Sequence, residues 1–184
     1  MKEITQKGAF ILRITLSQAI NLLSSLNKKV NELQNQFYSI QFIEVPKGET
    51  YTPYEQTVES VLIELAEVQG DILELKEIIH HANLNHKVEW DGKLVSMTRA
   101  IETAKQLRER LSLLKSLANS KKRDYQVHHR SGSILEQIAL FEPAEYKKQA
   151  EKLGRQVELL SSRIDKVNYT IEINVPLANK YLEA

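Results

Sequence analysis

Glu77-Ile78-Ile79-His80 is the spacing in this chain with the most specific chemistry attached to it. A Glu-x-x-His pair puts a carboxylate and an imidazole one turn apart on a helix, the ligand spacing of ferritin-like di-iron bundles. Such a centre needs two of these motifs and a carboxylate from each of two further helices, all pointing inward. This chain has one such motif. If Leu75 and Ile79 face a core, Glu77 and His80 fall on the outward side of their helix, where a solvated face is the plainer reading.

Other residues could do chemistry. His80, His81 and His86 cluster near one helix end, and His128 and His129 follow in a later connection. A zinc site would need His86 or the later pair to fold back onto His80 or His81, and nothing in the spacing requires that; imidazoles near a helix C-terminus are already favoured by its dipole. Lys121, Lys122, Arg123, Tyr125, His128, His129 and Arg130 form a basic, aromatic-containing segment over 121–130. That mixture can grip phosphates and stack a base. Lysines at a helix C-terminus also answer the dipole, and Glu136, Glu142 and Glu145 follow closely enough to neutralise the patch. A phosphate or nucleic-acid ligand is therefore a minority expectation.

Asp165 and Asn168 lie one turn apart beside an apolar stripe, with Tyr169 next in sequence. Polar groups beside a core need hydrogen-bond partners, so their first reading is structural. If the chain does hold a ligand, the nominated residues are His129, Arg130, Asp165 and Asn168, where the connections meet the helix ends. No catalytic residue, metal or cofactor is nominated. A Walker-type loop, Gly-x-Gly-x-x-Gly, Gly-x-Ser-x-Gly and His-Glu-x-x-His are all missing from the sequence, and six glycines leave little for a phosphate cradle.

The elements that would position these residues are four heptad stripes. Leu16, Ala19, Leu23, Leu26, Val30, Leu33 and Phe37 step by threes and fours. So do Val58, Val61, Leu65, Val68, Ile72, Leu75, Ile79 and Ala82, then Met97, Ala100, Ala104, Leu107, Leu111, Leu114 and Ala118. The last set is Ala150, Leu153, Val157, Leu160, Ile164, Val167 and Ile171. Each set lies on one stripe of a helix. Helix one is expected from an N-cap at Thr15 to about Phe37, and helix two from about Tyr54 to Ala82. Helix three should run from an N-cap at Ser96 to about Lys121, and helix four from Pro143 to about Tyr169.

Between them, residues 38–45 read as extended, and Pro46, Gly48 and Pro53 mark a loop. Val88 to Val95 reads as a tight hairpin, because Asp91-Gly92 supplies the positive φ of a type I′ turn, with Trp90 as a packed ring. Residues 122–143 read as irregular, with an apolar run from Ile134 to Phe141. Thr170 to Val175 is rich in β-formers, which leaves Ile171 at the border of helix four. Leu62, Leu73, Ile78, Ile101, Leu113, Leu117 and Leu159 lie off the main stripes. They either complete the core of one chain or serve a second interface.

The 184 residues suit one domain, with a formal charge of +1, 27% charged and 42% hydrophobic residues. That balance excludes a disordered chain and a strongly basic nucleic-acid or membrane binder. There is no cysteine, which removes disulfides, thiol catalysis and cysteine-ligated metals. Arg13 interrupts the apolar run Ala9–Leu12, short of the roughly 7–15 apolar residues of a secretory h-region, so no signal peptide is expected.

The second half resembles a family of largely uncharacterised bacterial proteins, some labelled septicolysin-like. The resemblance rests on Asn83 and Asn85 ahead of Trp90-Asp91-Gly92, on Ser96 and the Leu107/Leu111/Leu114 helix, then on Arg130-Ser131, Arg155, Asp165 and Asn168-Tyr169. It implies an all-α, bundle-like protein with no established catalytic residues, and its label implies membrane lysis. Helices with charged backs and the lack of long alternating amphipathic segments do not suit a lytic protein.

The expectation is therefore an all-α, antiparallel four-helix bundle, coiled-coil-like, with short β-hairpin or extended segments in its connections, residues 1–184 forming one domain. Its expected function is that of a non-enzymatic cytoplasmic interaction protein, a homo-oligomer. The alternatives are a ligand-binding protein or enzyme with a site at the helix ends, or a septicolysin-like membrane-active protein.

Overall fold

The computed structural model describes residues 3–4, 10–52, 55–127 and 134–182. In chain order the elements are β1 (Glu3–Ile4), β2 (Phe10–Ile11), β3 (Arg13–Thr15), α1 (Leu16–Ser39), α2 (Val58–Asn85), β4 (Lys87–Trp90), β5 (Lys93–Ser96) and α3 (Met97–Ala118). There follow β6 (Arg123–Val127), β7 (Ile134–Ile138), α4 (Pro143–Thr170), β8 (Glu172–Asn174) and α5 (Ala178–Leu182). The described chain is mostly helical, with short antiparallel pairs β1–β2, β3–β8, β4–β5 and β6–β7. It divides into two compact units, one of Met1–Asn85 with Val167–Ala184 and one of His86–Lys166.

The first unit is built on α1 against α2. Thr15 starts α1 with a capping box: its Oγ1 accepts from the Gln18 N–H at 3.1 Å, and Gln18 Oε1 accepts from the Thr15 N–H at 2.8 Å. Leu16, Ala19, Leu22, Leu26 and Leu33 of α1 are buried, as are Val61, Val68, Ile72, Leu75 and Ala82 of α2. The stripe of α1 thus turns through Leu22, while Leu23 is only half-buried. Outside the core, Lys29 pairs with Glu64 at 3.0 Å. Strand β3 joins β8 in the register Arg13↔Asn174, Ile14↔Ile173 and Thr15↔Glu172, burying both isoleucines. The Leu16 N–H continues the ladder by donating to the Ile171 carbonyl at 2.9 Å, so Ile171 lies just past the end of α4.

The second unit opens with the β4–β5 hairpin. Asp91 at φ 50° and Gly92 at φ 71° take the two positive-φ positions of the expected turn. Val88 is buried, and Trp90 is half-buried. Ser96 Oγ then accepts from the Arg99 N–H at 3.2 Å and caps α3. Helices α3 and α4 run antiparallel, tied by Arg108 Nη2 donating to Ser161 Oγ at 2.7 Å; Arg163 Nη1 reaches the Glu89 carbonyl at 2.7 Å. The stripe of α4 is buried from Ala150 to Ile164, whereas α3 buries only Met97, Ala100 and Ala104 and leaves Leu107, Leu111 and Leu114 half-covered.

Several elements differ from expectation. Residues 41–52 form no strand: helix α1 continues to Ser39, and Phe42 beyond it is 82% exposed, with neither a partner strand nor a core to reward an extended form. Helix α2 begins at Val58, behind a Thr57 side chain that accepts from the Ser60 N–H at 3.1 Å; residues 55–57 are not helical, and Tyr54, where the helix was expected to start, lies outside the described residues. Helix α3 stops at Ala118, short of Lys121, where Asn119 and Ser120 bond back to Lys115 and Leu117. The connection read as irregular holds a hairpin, pairing Arg123↔Ile138 through Val127↔Ile134.

Candidate functional site

Of the four residues nominated for a ligand, His129 and Arg130 lie outside the described residues, as does His128. Asp165 is exposed on α4. Asn168, one turn on, is half-buried, and its Oδ1 is shut from solvent without a hydrogen-bond partner among the described residues.

The described part of the basic segment turns out to be self-neutralised. Lys121 Nζ bonds Asp124 Oδ1 at 2.8 Å, Lys122 Nζ pairs with Glu142 Oε2 at 3.2 Å, and Arg123 Nη1 meets Glu136 Oε1 at 3.1 Å. The Tyr125 hydroxyl donates to that same Glu136 oxygen at 3.3 Å. The hydrogen bond from Lys121 holds the Asp124 carboxyl below its ordinary range and raises the Lys121 amine in return. Beneath the hairpin, a cavity of about 630 Å³ is lined by Lys121, Asp124, Gln137, Ile138, Leu140 and Phe141, among others. Its cation is already matched by a carboxylate, so it offers no uncompensated charge to an anion.

Glu77, His80 and His81 are exposed, on the outward side of α2. With Lys76, Leu73 and Leu23 they edge an open groove of about 680 Å³ between α1 and α2. Among the described residues no three His, Asp or Glu side chains converge as metal ligands.

The tightest polar cluster went unnoticed in the sequence. Lys180 of α5 bonds Glu67 Oε1 at 2.5 Å and Asp71 Oδ2 at 2.8 Å on α2, and the Tyr181 hydroxyl donates to Asp71 Oδ2 as well. This fastens α5 to α2. Partners more than a hundred residues apart leave no local signal in a single sequence.

The off-stripe apolar residues divide clearly. Leu62, Leu73, Ile101, Leu113 and Leu159 are 41–68% exposed, while Ile78 and Leu117 are half-buried. The five exposed ones do not complete the core of the described chain. No described helix is long and apolar enough to cross a membrane.

Comparison with known proteins adds the following. Residues 18–173 match the sequence model of a family of unknown function, DUF6847. A search among curated proteins returns no significant match. A crystal structure of a functionally unknown conserved protein from Corynebacterium diphtheriae is similar in fold, with a TM-score of 0.70 at 18% identity. The match covers 89% of this chain and 100% of that one. Neither finding carries a septicolysin-like link. That resemblance is corrected to the family above, and the lytic expectation resting on its label falls with it.

Proposed function

The chain belongs to the family of unknown function DUF6847, and from that premise and its exposed helix faces we propose that it is a non-enzymatic interaction protein of the cytoplasm that assembles with copies of itself. One observation carries the reading. Leu62, Leu73 and Leu84 of α2 are 46%, 64% and 46% exposed, and they recur every eleven residues. Eleven residues are close to three helical turns, so the three leucines fall on one line about 33 Å long. Single exposed leucines are ordinary, but a line of them along a helix is what a partner helix covers. The near-neutral charge of the chain, +1, lets copies approach without strong repulsion. Light scattering across a hundredfold range of concentration should give a mass of at least two chains, and a strict monomer throughout would sink the proposal.

The antiparallel four-helix bundle, with 1–184 as one domain, belongs to the same proposal. It is supported by α4, which runs unbroken from the second compact unit into the first. One domain should unfold in a single urea transition, coincident by far-ultraviolet circular dichroism and by fluorescence of the single tryptophan, Trp90. Two separated transitions would mean that the units are independent.

A further inference from the structure

Helix α2 carries a second stripe on its outward side, apart from the buried one of Val61, Val68, Ile72, Leu75 and Ala82. Leu62, Ala66, Gln69, Leu73, Glu77, His80 and Leu84 follow one another by steps of four, three, four, then four, three, four. All seven are exposed. An eleven-residue repeat advances about 3.67 residues per turn, close to the helix's own 3.6, so the stripe runs nearly straight. Its steps read the same from either end, with Leu73 at the centre.

The chemistry of the stripe is as symmetric as its spacing. A contact between two identical surfaces sets residue i against j and j against i about a two-fold axis. Antiparallel about Leu73, the stripe sets Leu73 against the partner's Leu73 and Leu62 against the partner's Leu84. Gln69 then meets the partner's Glu77, an amide that can donate to a carboxylate, and Ala66 leaves room for the partner's His80. No like charges are opposed within the stripe. A parallel arrangement would set Glu77 against the partner's Glu77 and His80 against the partner's His80. An antiparallel axis midway between two neighbouring leucines would leave the third leucine in water. Glu74 and Lys76, the charged residues nearest the axis, fall at opposite rims of the contact, where solvated charges contribute little.

Gly70 adds an independent observation. It lies beside this stripe in mid-helix, where glycine costs about 1 kcal/mol against alanine. Its φ is not positive, and a Cβ there would meet nothing within 4 Å. Nothing among the described residues calls for a glycine at this place, whereas a second helix laid close against the stripe gains from it.

We propose that α2 packs antiparallel on α2 of a second copy, about a two-fold axis at Leu73. This rests on the self-assembly proposed above and fixes its direction and register.

The chain has no cysteine, so a single introduced cysteine can form only intermolecular disulfides. Helices packed 8–10 Å apart bring directly opposed Cβ atoms within about the 3.5–4.5 Å that a disulfide spans. Leu73 is 64% exposed, so Leu73→Cys removes no core contact. Under mild oxidation at a concentration where the unaltered chain assembles, Leu73→Cys should give roughly tenfold more covalent dimer than Leu113→Cys, a control 68% exposed on α3. Mixing Gln69→Cys chains with Glu77→Cys chains, which keep every leucine, should likewise give roughly tenfold more dimer than either alone. If the unaltered chain assembles and Leu73→Cys does no better than its control, or the mixture no better than its parts, the α2 pairing is wrong while self-assembly stands. If the unaltered chain is a monomer, both fall.

Discussion

Leu75→Ala is expected to lower the free energy of unfolding by about 2–5 kcal/mol, the range for a buried leucine whose removal leaves a cavity. Leu75 lies in the middle of α2, is 0% exposed, and belongs to the core that α1 and α2 share with Leu26 and Leu33. The neighbouring stripe of α1 is carried by a capped helix and cannot easily collapse into the space. Urea denaturation followed by circular dichroism would read the loss as a lower midpoint at unchanged slope. Leu111→Ala, which the heptad pattern alone ranks equally, should cost less, about 1–2 kcal/mol, because Leu111 is only half-buried. An unmoved midpoint for Leu75→Ala would mean that α1 and α2 do not share the core described.

The second large effect is expected one turn from Leu75 on α2, where α5 docks. Asp71→Ala should undock α5, since Asp71 accepts from both Lys180 and Tyr181. Hydrogen bonds to charged groups contribute about 1.5–3 kcal/mol when buried; with the Lys180 side chain 43% exposed, solvent screening reduces this to roughly 1–2 kcal/mol. Amide hydrogen exchange over 178–182 should then quicken about tenfold, with Glu59→Ala as an exposed control on the same helix. Unchanged protection at those amides would show that the Asp71 contacts do not hold α5.

The same cluster sets a pH dependence. Burial pushes the Asp71 carboxyl up, but hydrogen bonds from Lys180 and Tyr181 outweigh it and leave the group below its ordinary 3.8. A group lowered on folding stabilises the fold above its ordinary value and loses that contribution as pH falls through the lowered one. Tyr181 is raised from its ordinary 10.0, first by burial and then by its bond to Asp71, and Lys180 is raised by its bonds to Asp71 and Glu67. Their contributions are complete below the ordinary values and are lost as pH rises through the raised ones. Docking of α5 should be level across about pH 5–9 and weaken at both extremes.

What the sequence made legible followed from local repetition. The stripe of α4 from Ala150 to Ile164 is buried as its spacing demands, and Asp91-Gly92 turns where two positive φ angles were foreseen. Thr15 and Ser96 cap the helices they precede. What stayed hidden depends on partners distant in the chain. Ile134 to Ile138 show no clean alternation, because every residue of β7 is exposed and no buried face imposes a period of two. The Tyr-Ser-Ile-Gln-Phe-Ile run at 38–43 has strand-like residues but, among the described residues, no strand to pair with. Of the nominated site, Asp165 and Asn168 are on the expected helix, yet the strongest polar cluster joins α2 to a helix that no periodicity announces, since five residues complete barely more than one turn.

The β3–β8 pair has a consequence in time. Ile14 leaves the ribosome long before its partner Ile173. At about 5–20 residues per second, the intervening chain takes roughly 8–32 s to synthesise. Throughout that interval β3 has an unsatisfied edge and an isoleucine without its cover, while residues 86–166 are already complete as a continuous stretch. The stretch 86–166 is therefore complete before β3 meets β8, and the unit that β3 opens is finished only once β8 has been made.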